Sequence, residues 1–118
     1  MRVLIVDDNE ELRAFLALSL KEAAIDAVVA EDTQDALQKI QSEKFDVLVV
    51  DSVMHNGDGL ALVQQVRNTK NGRSMPILLM STISTALARR MATSAGCNQF
   101  LVKPFGPMEF IDQIKQLG

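Results

Sequence analysis

The sequence predicts an α/β fold, a doubly wound parallel sheet of five strands with helices on both faces, three layers in all. Three observations lead there. Two residue periods alternate along the whole chain, a short apolar run and then a stretch with apolar residues three and four apart, five times over. The apolar runs carry no polar alternation, which suits parallel strands covered on both sides. Residues able to do chemistry follow several of the runs directly, where open parallel sheets bind their ligands.

The expected strands are residues 3–6, 27–30, 47–50, 77–80 and 100–102. The first helix carries Leu12, Phe15, Leu16, Leu20 and Ala23 at the spacing of one buried face. The second begins at Thr33, read as its N-cap, and buries Ala36, Leu37 and Ile40. The third follows Asp58, turns Leu60, Val63 and Val66 inward and has Arg67 near its end. The fourth runs from about Thr85 to Ala95 and stops at Gly96, a residue suited to a left-handed cap. The fifth starts with Pro107, where a missing N–H costs nothing, and buries Phe110, Ile111, Ile114 and Leu117. Residues 68–76, NTKNGRSMP, read as a turn-rich surface loop.

At 118 residues the chain is expected to be one domain, 1–118, with a single sizeable core. No apolar run approaches the roughly 20 residues of a membrane span. The VLIV run near the N-terminus gives way at once to acids, so a cytoplasmic protein rather than a secreted one is expected. The single cysteine, Cys97, has no partner for an internal disulfide and reads as a small, buried or half-buried apolar residue. Residues 1–60 hold 5 Lys and Arg against 13 Asp and Glu, a charge of −8, while residues 61–118 hold 7 against 2, a charge of +5. With no Trp or Tyr and a pI near 5.0, direct nucleic-acid binding is disfavoured.

The chemistry collects after the strands. Asp7 and Asp8 follow the first, Asp51 the third, Ser81 and Thr82 the fourth, Lys103 and Pro104 the fifth. Any one of them has an ordinary explanation, since an acid after a strand is often a helix cap and a lysine a solvated amine. Those explanations do not account for all of them sharing one sheet edge. Carboxylates brought together repel, and protonation or a cation relieves the repulsion. Oxygen donors with no histidine or thiolate pair fit a hard divalent ion, best Mg²⁺, which needs few protein ligands. Metal, ammonium and hydroxyl together suit a phosphoryl group, with one carboxylate as nucleophile.

These residues stand in stretches that resemble the receiver domain of two-component response regulators, over essentially the whole chain. They are LIVDDNE (residues 4–10), VVDSVM with DG (49–54, 58–59), MST (80–82) and FLVKPF (100–105). The resemblance implies a flavodoxin-like (βα)5 fold with strand order 2-1-3-4-5. It implies that Asp51 accepts phosphate from a histidine kinase or phosphotransfer protein. Mg²⁺ is then held by Asp8 directly, by Asp7 mainly through water, and by Asp51 and the carbonyl of Val53. Ser81, Thr82 and Lys103 bind the phosphate, Ser81 and Phe100 act as the switch, and a cis bond before Pro104 aims Lys103 into the site. The readout surface falls on the fourth helix, fifth strand and fifth helix, for an effector or a second copy. Phe100 stands where relatives often carry Tyr, so switching here is read by ring position alone. His55 and Asn56 replace the Pro and Gly usual after the acceptor. Val53 and Ile83, both apolar, fall where relatives tune dephosphorylation, which implies a long-lived phosphoryl group.

Other readings fit less well. An EF-hand is excluded by Val53 and His55 at its third and fifth positions. A two-aspartate phosphatase fails at Val53, and a flavin module fails because DDNEE would repel the phosphate. A pure interaction module that takes no phosphate is the remaining alternative, as is a receiver cut from a longer transcription factor or hybrid kinase.

Overall fold

In the structure, a computed structural model that describes residues 1–54 and 57–118, strands and helices alternate as expected. The order is β1 (Arg2–Val6), α1 (Glu10–Glu22), β2 (Asp26–Ala30), α2 (Thr33–Ser42), β3 (Val47–Asp51), α3 (Gly59–Arg67), β4 (Ile77–Ser81), α4 (Ala86–Ala95), β5 (Gln99–Val102) and α5 (Pro107–Leu117). Between β3 and α3 lies a ribbon of two-residue strands, Val53–Met54 antiparallel to Gly57–Asp58. With that ribbon set aside, the parallel sheet runs 2-1-3-4-5.

Alternation along each strand sorts its side chains between two cores. Leu4, Val6, Leu48, Val50, Ile77 and Leu79 face α2, α3 and α4, meeting Ala36, Ile40, Leu62, Val63, Val66 and Ala92. Val3, Ile5, Val47, Val49, Leu78, Met80 and Leu101 face α1 and α5, meeting Leu16, Leu20, Phe110 and Ile114. Both faces of the sheet are covered, so the unbroken apolar runs are what the packing demands.

Register then fixes the site. Val6 pairs with Val50, Asp51 with Met80 and Ser81 with Val102, so the strand ends stand level. Asp7, Asp51, Ser81 and Lys103 consequently emerge at one edge.

Local details depart from expectation in two places. The N-cap of α2 is Asp32, not Thr33: its extended backbone lets its carboxylate accept the Asp35 N–H at 2.8 Å, and Thr33 is already helical. Phe15 lies off the buried face of α1 and is 37% exposed, while Leu16 and Leu20 carry the packing. The 68–76 stretch is the turn-rich loop expected, but it is anchored to the body of the fold. Met75 is buried, and the Asn71 amide donates to the Ile40 carbonyl at 2.9 Å, capping the end of α2. Among the described residues, no helix is long and apolar enough to cross a membrane.

Candidate functional site

Asp7 follows β1 directly and has no exposed surface. Its Oδ1 accepts the Asn9 N–H at 2.8 Å, and Asn9 in turn caps α1 by accepting the Leu12 N–H at 3.0 Å. The Arg13 guanidinium donates to the Asp7 carbonyl at 2.8 Å and so steadies the same turn. The turn after β1 is therefore pinned by the helix it starts. Asp7 Oδ2 has no hydrogen-bond partner among the described residues and sits 3.6 Å from Lys103 Nζ.

Asp51 ends β3 and is buried, with Lys103 Nζ donating to its Oδ1 at 3.0 Å. Gly59, the first residue of α3, packs against it so closely that a Cβ there would lie 2.1 Å from the Asp51 carbonyl oxygen. Only glycine allows that approach. Asp8 is half-buried, and one oxygen each of Asp7, Asp8 and Asp51 fall within 4.8 Å of one another.

Burial raises the Asp7 pKa above the ordinary carboxylate value, opposed by the Asn9 N–H, and the charge of Asp51 raises it further, while Lys103 lowers it and Asp8 raises it. A buried carboxylate oxygen with no hydrogen bond among the described residues, close to two other carboxylates, fits a cation. The all-oxygen donor set selects a hard divalent ion such as Mg²⁺. Asp7, Asp8 and Asp51 could hold it.

The remaining expected residues border this cluster. Ser81 ends β4, and its Oγ accepts the Ile83 N–H at 3.0 Å while donating to the Ile83 carbonyl at 3.1 Å. The hydroxyl is thus engaged by its own loop. Thr82 beside it is exposed. The Lys103 N–H donates to the Ser81 carbonyl at 2.8 Å, tying the end of β5 to the end of β4. The Lys103–Pro104 peptide bond is cis. Val53 pairs with Asp58 in the ribbon and its side chain is 71% exposed. Phe100, in β5, is half-buried beneath the Arg89 guanidinium. His55 and Asn56, the departures singled out in the sequence, lie outside the described residues.

With this geometry in place, comparison with known proteins decides the family. Residues 3–115 match the family model of the response regulator receiver domain. The chain belongs to that family. Among curated relatives, the receiver resembles response regulator MprA of Mycobacterium avium at 34% identity, covering 99% of this chain and 50% of that protein. It resembles the alkaline phosphatase synthesis transcriptional regulatory protein PhoP of Bacillus subtilis at 28% identity, covering 98% and 48%. This receiver thus spans about half the length of those two relatives. Among solved structures, the Vibrio cholerae chemotaxis protein CheY4 superposes with a TM-score of 0.95 at 29% identity, covering 99% of this chain and 98% of that one.

The parts several residues play in the receiver escaped sequence reasoning, even where, as with Gly59 and Arg67, the sequence singles out the residue itself. Arg13 and Gly59 act through backbone contacts that no spacing announces. Arg67 donates to the carbonyls of Gly72, Met75 and Gly96 at 2.8, 2.6 and 2.6 Å, clamping the opposite end of the sheet. Cys97 is half-buried as expected, and burial pushes its thiol up to about 11, so it stays a thiol at neutral pH.

Proposed function

We propose that this chain is the phosphoacceptor of a two-component relay, taking a phosphoryl group onto Asp51 from a histidine kinase or phosphotransfer protein. The observation that carries the reading is the buried Asp51 carboxylate held by the Lys103 ammonium, beside an Asp7 Oδ2 that has no hydrogen bond among the described residues, at one sheet edge. In transfer, an Asp51 oxygen attacks phosphorus, a P–O bond forms, and the P–N bond to the donor imidazole breaks. The imidazole leaves with the bonding pair and takes up a proton.

Asp8, Asp51 and the Val53 carbonyl would hold Mg²⁺ directly and Asp7 mainly through water, and the ion would supply charge neutralisation for the phosphoryl oxygens. Lys103 neutralises another of those oxygens and is already oriented by its bond to Asp51. Ser81 exchanges its bonds to Ile83 for one to the phosphoryl group, with Thr82 at the entrance. That exchange biases the surface of α4, β5 and α5, where Phe100 stands, toward an arrangement read by an effector or a second copy. A cytoplasmic receiver acting alone and one that is part of a longer chain, like the relatives of twice this length, both accommodate this chemistry.

Incubation with acetyl phosphate and Mg²⁺ tests the reading by intact mass. The chain should gain one phosphoryl group and Asp51→Asn should gain none. No gain in the wild-type chain would leave it an interaction module.

A further inference from the structure

Phe100 stands between two clefts. One, of about 200 Å³, is lined by Leu60, Leu79, Ser81, Ile83, Met91 and Phe100 among others. The other, of about 180 Å³, lies on the side of Arg89, Thr93, Cys97, Asn98 and Gln99. The carbon at the centre of the Arg89 guanidinium lies 4.8 Å from the Phe100 ring centroid. Helix α4 carries Arg89 and Arg90 and no acid, and among the described residues Arg89 makes no ion pair. The ring is its partner.

A guanidinium over a phenyl face is attracted by the ring's quadrupole, and the attraction lasts only while the ring stays beneath it. The cleft beside Ser81 has mostly apolar walls and exceeds the roughly 150 Å³ that accepts a benzene molecule. It has room for the ring. Ile83, on its wall, is held by both hydrogen bonds of the Ser81 hydroxyl, so any withdrawal of Ser81 from its loop also loosens that wall.

We infer that Arg89 is a positioning residue of the switch, its guanidinium holding the Phe100 ring out of the cleft beside Ser81. Only the force that drives the ring across rests on the phosphoacceptor reading above; the hold belongs to the unphosphorylated chain. Phe100 lacks the hydroxyl that could otherwise fix an outward ring, and Arg89 supplies the restraint instead. Removing it should shift the ring population toward the Ser81 side by roughly two- to five-fold.

The Met91 methyl lines that cleft and reports the ring through its ring current in a ¹³C-methyl NMR spectrum, assigned with Met91→Leu. With no phosphodonor present, Arg89→Gln should displace the Met91 resonance, and Arg90→Gln should leave it in place. In a Phe100→Leu background Arg89→Gln should have no effect, because the ring is gone. The inference is overturned if Arg89→Gln leaves the resonance unmoved, or moves it equally with and without Phe100. Acetyl phosphate and Mg²⁺ should move the wild-type resonance in the same direction as Arg89→Gln. If the wild-type chain takes no phosphoryl group, the site reading fails, while the comparison without donor still decides the part played by Arg89.

Discussion

Asp7 has no exposed surface and, among the described residues, one carboxylate oxygen without a hydrogen bond, near carboxylates that repel its charge. Burial raises its pKa first, and the neighbouring charges of Asp51 and Asp8 add to that. The unfolded chain releases this proton at the ordinary carboxylate value, the folded chain only at higher pH. The stabilising contribution of Asp7 is therefore complete below the ordinary value and is lost as pH rises through the raised one. In metal-free solution Asp7→Asn, which stays neutral, should become more stable than wild type across that rise. Urea unfolding at a series of pH values checks it, and parallel curves for the two proteins would contradict it. A second residue-scale expectation concerns Val53 and Ile83, 71% and 55% exposed beside the site. Neither can orient a water, so the aspartyl phosphate should last well beyond seconds. Val53→Asn or Ile83→Glu should shorten its lifetime several-fold in an autodephosphorylation assay.

At the scale of elements, the site end and the opposite end of the sheet are held by different devices. Helix α3 starts against the Asp51 carbonyl through Gly59, whereas Arg67 at its other end gathers the loops that precede β4 and β5. Gly59→Ala should cost about 1–3 kcal/mol by overpacking and also slow phosphorylation, because it displaces the backbone of Asp51. Arg67→Ala should cost about 2–3 kcal/mol through its lost carbonyl partners yet leave the phosphorylation rate unchanged. Denaturation midpoints and acetyl phosphate kinetics on both variants separate the two cases.

The same contrast explains what was legible beforehand. The strands, the family and the residues at the sheet edge follow from local patterns: an unbroken apolar run, then an acid. The clamp of Arg67 and the close approach of Gly59 depend on partners distant in sequence or on backbone separation, and neither leaves a periodic trace. Asp32 outcompeted Thr33 as a cap because which of two adjacent capping residues stays extended is decided by the chain's entry angle. Phe15 fell outside the core because the three-and-four spacing defines a stripe without defining its edges.

For the whole molecule, the charge asymmetry has a thermodynamic consequence. The half of the chain carrying −8 includes all three carboxylates of the cluster. A divalent cation held by those carboxylates as a set would bind only the folded state. Mg²⁺ should therefore raise the Tm, by an amount equivalent to about 2.7 kcal/mol at one hundred times its Kd. Sodium at matched ionic strength should not, and Asp8→Asn should lose most of the effect. A thermal scan with equal shifts in the two salts would contradict a specific site.

The central claim is that Asp51, and no other side chain, carries the phosphoryl group. Borohydride reduces an aspartyl phosphate to homoserine, so peptide mapping after acetyl phosphate, Mg²⁺ and borohydride reads the acceptor directly. The account predicts homoserine at position 51 alone. Homoserine at Asp7 or Asp8, a phosphoryl group on His55, or no conversion at all would contradict it.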